Sequence, residues 1–275
     1  MSNIVLLDGA AGSALQNAGL RPGESSFVMN VRAPETVREL HRAYADAGSR
    51  VVYTNTFALN AISARKTGYS VRELVRSGVE IAKSVVGFGK VALDIGPIGL
   101  EIGDDDDQLS PDAAYAMFAE VVEIGAKAGA DIVVIETMYD LDELKIALRA
   151  ARESADLPVY VCMTFNTDGH TFLGVSVADF VAAVEEIGAD AIGLNCSYGP
   201  SDIFPVFEQI AALTKLPLIA KPNAGLPDEN GEYTLTPEEF ARQMRPFIDA
   251  GAKYIGGCCG STPAFITALR REFAD

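Results

Sequence analysis

The chain has 275 residues, with 38 Asp and Glu against 22 Lys and Arg, and a formal charge of −16. That acid excess argues against nucleic acid or an anionic membrane as partner, since both need clustered Lys and Arg. With 49% hydrophobic and 22% charged residues, wholesale disorder is excluded and the length suits one domain, a barrel of about 250 residues included.

In chain order, a short apolar run at Ile4-Val5-Leu6-Leu7 comes first, without the basic region and long apolar stretch of a signal peptide. A helical-period stretch over 35–48 closes at Gly48 and runs into Val51-Val52-Tyr53. A second, over 71–85, precedes Lys90-Val91-Ala92-Leu93. Ser110-Pro111 opens a helix over 112–128, which closes at Gly129 ahead of Ile132-Val133-Val134. A helix over 141–154 leads to Leu157-Pro158-Val159-Tyr160-Val161, and one over 177–187 closes at Gly188 before Ala191-Ile192-Gly193. A helix over 201–214 precedes Leu216-Pro217-Leu218-Ile219-Ala220. One over 237–250, opened by Thr236-Pro237-Glu238-Glu239, closes at Gly251 before Tyr254-Ile255-Gly256, and a helix over 263–273 follows Thr262-Pro263.

Near-continuous apolar strands separated by helices imply a parallel sheet covered on its outer face. Eight such units predict an α/β fold, a single (β/α)8 TIM barrel over 1–275. An open doubly wound sheet needs a glycine-rich dinucleotide turn after an early strand, and Asp8-Gly9-Ala10-Ala11-Gly12 does not spell one. No apolar run approaches the roughly 18–20 residues of a membrane span. Four cysteines in a chain this long do not form a secreted disulfide scaffold. The expectation is a soluble cytoplasmic protein with reduced thiols.

In such a barrel the chemistry collects at the C-terminal strand ends. Those ends carry Asp8, Asn55, Asp94, Glu136, Asn166, Asn195 with Cys196, Asn223, and Cys258 with Cys259. Adjacent strand residues face opposite ways, but the glycines of Gly256-Gly257-Cys258-Cys259-Gly260 permit a backbone that aims both thiols inward. With Cys196 they make a three-thiol site with an open fourth position, the layout of a catalytic zinc. Cys162, inside the fifth strand, reads as a small buried hydrophobe. Three thiolates around Zn2+ quench its Lewis acidity, so hydroxide generation is disfavoured. Capture and deprotonation of an incoming thiol is favoured, which points to alkylation of a substrate sulfur.

Other features are read separately. Asp104-Asp105-Asp106-Asp107 is a solvated loop. Lys221 supports a rival class, a Schiff-base aldolase. A non-catalytic subunit that only binds zinc or the acceptor thiol, and a Cys258–Cys259 redox pair, are further alternatives.

Leu7-Asp8-Gly9-Ala10-Ala11-Gly12, Thr54-Asn55-Thr56-Phe57, Asp94-Ile95-Gly96-Pro97, Glu136-Thr137, Asn195-Cys196-Ser197, Lys221-Pro222-Asn223-Ala224-Gly225 and Gly256-Gly257-Cys258-Cys259-Gly260 together resemble the homocysteine S-methyltransferase family, including the homocysteine-binding module of cobalamin-dependent methionine synthase. The resemblance implies zinc held by Cys196, Cys258 and Cys259, with homocysteine as substrate. It implies that Asp8, Gly9 and Glu136 hold the amino acid end, with Thr56 and Asn195 as further contacts. An ammonium needs a carboxylate, and Glu136 ends an otherwise apolar strand with no Arg at a neighbouring strand end. Ser13 and Ser261 stand where Thr is common in the family. The barrel consumes the chain, so the expected donor is a methyl-corrinoid supplied in trans by a separate corrinoid protein. S-methylmethionine and betaine are alternatives, and the absence of Trp counts against betaine.

Overall fold

Eight short apolar segments become strands in the computed structural model, which describes residues 4–21, 23–105, 107–229 and 231–274. They are β1 (Val5–Leu6), β2 (Val51–Tyr53), β3 (Lys90–Ile95), β4 (Ile132–Met138), β5 (Val159–Met163), β6 (Ala191–Asn195), β7 (Leu218–Lys221) and β8 (Ala252–Ile255). All pair in parallel, in the order β1-β8-β7-β6-β5-β4-β3-β2. This is the expected barrel, with one seam between β1 and β2. At the seam Arg50 N donates to Leu6 O at 2.7 Å and Ser49 Oγ to Leu7 O at 3.0 Å. Tyr53 N donates to Asp8 Oδ2 at 2.7 Å, so a carboxylate closes the ring where β1 is too short to do so.

The helices are α1 (Gly12–Asn17), α2 (Met29–Arg32), α3 (Pro34–Ala47), α4 (Ala61–Arg65), α5 (Val71–Lys83), α6 (Pro111–Ala128), α7 (Leu141–Ser154), α8 (Val177–Ile187), α9 (Pro200–Leu213), α10 (Pro237–Gln243), α11 (Arg245–Asp249) and α12 (Pro263–Phe273). Their starts follow local chemistry. Ser70 with Glu73 and Ser176 with Asp179 form reciprocal capping boxes, and Asp140 caps α7 through the amides of Asp142 and Glu143. Gly48 and Gly129 end α3 and α6 at φ 123° and 98°, conformations that favour glycine.

Two differences from the sequence reading have local causes. The stretch over 237–250 is two helices, because Pro246 lacks the N–H that a continuous helix needs and its ring crowds the preceding turn. The short helices α1, α2 and α4 are additional. They lie in the loops after β1 and β2, and Leu15 of α1 and Met29 of α2 join Leu20, Val28, Val37 and Ile81 in a small buried cluster.

Strand alternation separates two cores. Inside the barrel lie Leu7, Val51, Tyr53, Ala92, Ile132, Val134, Tyr160, Cys162, Ala191, Ile219 and Tyr254. There Tyr160 and Tyr254 pack with centroids 4.8 Å apart and share a hydroxyl bond of 2.8 Å. The other faces of the strands pack Val91, Leu93, Val133, Val161 and Ile192 against Phe118, Leu144, Phe180, Phe207 and Phe247 from the helices. The inward stripe changes character at the mouth. Two residues beyond Ala92 comes Asp94, beyond Val134 comes Glu136, and beyond Ile219 comes Lys221. Period-2 geometry therefore lays a charged layer on top of an apolar one.

Candidate functional site

A cavity of about 300 Å³ opens at the C-terminal strand ends. Asp8, Asp94, Glu136 and Lys221 line one part of it and Cys196, Cys258 and Cys259 another. The charged part is almost fully enclosed: Asp8, Asp94, Glu136 and Lys221 are 3%, 7%, 7% and 3% exposed. Lys221 Nζ lies 3.2 Å from Asp8 Oδ1, 3.5 Å from Glu136 Oε2 and 3.5 Å from the centre of the Tyr53 ring. Burial pulls the lysine toward neutrality, but Glu136, Tyr53 and Asp8 together hold its pKa well above the ordinary value. A Schiff-base lysine needs the opposite shift, so the aldolase reading of Lys221 is corrected here: the side chain is a fixed counter-ion.

The thiols arrive from two loops. Cys196 follows β6 at φ 52°, a left-handed conformation unusual outside glycine, and its N–H donates to Lys221 O at 3.2 Å. Cys258 and Cys259 follow β8 on a chain fixed by backbone bonds: Cys258 N donates to Pro222 O and Ala224 N to Cys259 O, each at 2.9 Å. Asn223 Oδ1 accepts from Cys259 N at 3.1 Å. Gly260 turns the chain at φ 80°, and a Cβ there would meet the Tyr233 ring at 2.2 Å. The result is that all three Sγ atoms lie within 4.8 Å of one another, with Cys196 and Cys259 at 3.3 Å.

That spacing fits a metal. Three sulfurs at about 2.3 Å from a tetrahedral zinc stand roughly 3.8 Å apart. Thiol hydrogen bonds from Cys196 and Cys258 push Cys259 down to about 3, while the same contacts and burial raise Cys258. The cluster by itself favours one thiolate flanked by protonated neighbours, and a dication is the partner that lets all three ionise. Cys162, by contrast, is fully enclosed in the barrel interior and burial pushes its thiol well up, as suits an inert core residue.

Two expected substrate contacts sit behind the cavity wall instead. Thr56 is fully buried, its hydroxyl donating to Asp94 O at 2.7 Å and lying 2.6 Å from Thr54 Oγ1. Asn195, also fully buried, accepts from Thr137 N and donates to Thr137 Oγ1, both at 2.8 Å, with Nδ2 3.9 Å from Cys258 Sγ. Both are occupied by the protein's own polar groups, so they shape the site from outside it. Gly9 does line the cavity. A Cβ there would fall 2.6 Å from Ser261 Oγ and 2.8 Å from Tyr44 Oη, so only glycine fits. Glu136 meets Lys221 from β7, so its cation partner is a lysine, where no Arg stands at a neighbouring strand end.

Ser261 is a positioning residue the sequence reading left without a role. Its Oγ donates to Cys258 O at 2.7 Å and accepts from Ala10 N at 3.1 Å, tying the thiol loop to the first loop. Of the acidic run, Asp104, Asp105 and Asp107 are exposed and Asp106 lies outside the described residues. Among the described residues no helix is long and apolar enough to cross a membrane.

Comparison with known proteins places this site in context. The profile of the homocysteine S-methyltransferase family matches residues 5–273. A methionine synthase of Mycobacterium tuberculosis (strain ATCC 25618 / H37Rv) is 31% identical over 296 residues, covering 99% of this chain and 25% of the relative. A methionine synthase of Mycobacterium leprae (strain TN) is 32% identical over 295 residues, covering 98% and 24%. The chain thus spans about a quarter of the length of these curated relatives. Among solved structures, the metallated form of the homocysteine methyltransferase MmuM from Escherichia coli superposes with a TM-score of 0.83 at 26% identity. The superposition covers 98% of this chain and 96% of that one. The oxidized form gives the same TM-score and coverage at 25% identity.

Proposed function

The chain belongs to the homocysteine S-methyltransferase family, and on that premise we propose that it transfers a methyl group to the thiol of L-homocysteine, giving methionine. The observation that carries this reading is the shared cavity: three thiols within 4.8 Å of one another on one part of its wall, buried carboxylates on another. Cys196, Cys258 and Cys259 would hold zinc. When bound, the metal supplies a Lewis acid able to keep an acceptor thiol deprotonated near neutral pH.

The remaining work falls to the protein. Asp8, Gly9 and Glu136 line the part of the cavity that would receive the amino acid end of homocysteine. Ser261, Asn223 and Asn195 fix the loops that carry the thiols. The acceptor sulfur attacks the methyl carbon in line with the departing group; the S–C bond forms as the donor bond breaks, and the thiol proton passes to solvent. No side chain acting as a general base is required.

The proposed donor is a methyl-corrinoid brought by a separate protein. Its support is the likeness to methionine synthases, of which this chain spans about a quarter. A small donor such as S-methylmethionine or betaine is the alternative. The four free cysteines suit a reducing compartment, and we place the protein in the cytoplasm. A donor screen tests the activity. Zinc-loaded protein with homocysteine and each donor class should form methionine, detected by mass, with at least one of them. No methionine with any donor would overturn the proposal.

A further inference from the structure

Within the zinc reading of the three thiols, on which this inference rests, the sulfurs differ in what surrounds them. Cys196 Sγ and Cys259 Sγ face each other at 3.3 Å, and Cys258 Sγ has Asn195 Nδ2 at 3.9 Å. Cys259 has a further partner from outside its own loop: the Tyr233 hydroxyl donates to its sulfur. Tyr233 comes from the connection between β7 and α10. That connection folds back on itself, with Pro227 and Tyr233 bridged in antiparallel fashion and Asp228 N donating to Glu232 O at 2.9 Å. The Tyr233 ring rests on Gly260, so closely that a Cβ there would fall 2.2 Å from it, and its apolar part packs against the outer core. The cavity is lined by all three cysteines but not by Tyr233. The phenol therefore reaches the cluster from outside the space left for the acceptor.

Packing on Gly260 needs only the ring, and a phenylalanine would supply it, so the hydroxyl calls for its own account. Three thiolates around a dication leave a net negative charge on the sulfurs, and an incoming fourth thiolate deepens it. A hydroxyl aimed at one sulfur spreads that charge and fixes the direction of its lone pairs, as outer hydrogen-bond partners do for metal ligands in general. We propose that Tyr233 is a positioning residue for the metal centre: its ring fixes the thiol loop at Gly260, and its hydroxyl donates to Cys259 Sγ and steadies that sulfur as a ligand. The role requires no contact with the acceptor or the methyl donor. It also makes the β7–α10 connection part of the metal site, to which it contributes no ligand.

Cobalt(II) loaded in place of zinc gives a direct readout, because its thiolate-to-metal charge-transfer bands report the energy of the sulfur lone pairs. In Tyr233→Phe, which keeps the ring, those bands should move to lower energy. Zinc affinity measured by chelator competition should fall about 10- to 100-fold in the same variant. Tyr233→Leu, which also takes the ring off Gly260, should lose at least as much affinity. Unchanged band positions or unchanged zinc affinity in Tyr233→Phe would each overturn the role of the hydroxyl while leaving the zinc reading intact, whatever the leucine variant does. If cobalt gives no thiolate charge-transfer bands in the wild-type protein, the zinc reading falls and this assignment falls with it.

Discussion

Lys221 and Asn195 show how far single side chains set this site. Lys221 is 3% exposed and balances Asp8 and Glu136. Lys221→Met would leave two buried carboxylates without their cation, at a cost of about 3–5 kcal/mol. Urea titration at neutral pH checks this, and borohydride trapping with a ketone should leave Lys221 unlabelled. Asn195 acts on the backbone: it clamps Thr137, held at φ 58° within the β4 bulge next to Glu136. Such a conformation costs about 1–3 kcal/mol and persists only where neighbours enforce it. Asn195→Ala should lower stability by about 1–3 kcal/mol, and calorimetric melting measures it. The same variant should also loosen the placement of Glu136, which weakened homocysteine binding would report.

At the scale of elements, the strands meet so closely in places that one methyl group is too many. A Cβ on Gly193 in β6 would lie 1.9 Å from Ile219 O in β7. Backbone cannot yield as a flexible side chain can, so Gly193→Ala should cost more than about 3 kcal/mol. Gly12→Ala, with nothing within 4 Å, should be neutral or slightly stabilising in α1. Chemical denaturation of the two variants separates these outcomes. The same elements show what a sequence can reveal. The longer helices were legible because their caps are local: Ser110 with Pro111, Thr236 with Pro237, and Gly48 and Gly129 at φ 123° and 98°. α1, α2 and α4 have four to six residues, too few for a 3.6-residue period to register. The convergence of Cys196 with Cys258 and Cys259 was legible from strand ends. The pairing of Lys221 with Asp8 and Glu136 was not, because it joins β7 to the loop after β1 and to β4 across the barrel interior and appears only when the sheet closes.

For the whole molecule, closure depends on polar groups as well as on the apolar layers. The β1–β2 seam has no ladder among the described residues, and Asp8 and Ser49 bridge it. The acid excess of the sequence acts over the surface, whereas the enclosed acids are offset by Lys221 and by whatever cation enters the cavity. Acid sensitivity has a further source in His41, buried on α3 with Nε2 unpartnered among the described residues. Burial lowers its pKa from 6.5 to about 4. Below pH 6.5 the unfolded chain takes up a proton that the folded one refuses, so stability is full above that value and falls as the pH drops toward 4. The loss from this group is about 3 kcal/mol. His41→Leu should narrow the gap between urea midpoints at pH 7 and pH 4.5 relative to wild type.

The central claim is that three cysteines hold a zinc whose fourth position accepts the homocysteine sulfur. X-ray absorption at the zinc edge tests it most directly, on the loaded protein before and after homocysteine is added. The account predicts three sulfur neighbours at about 2.3 Å rising to four with homocysteine, and fewer than three from the protein in Cys196→Ser. A sulfur count that stays at three in the presence of saturating homocysteine would contradict it.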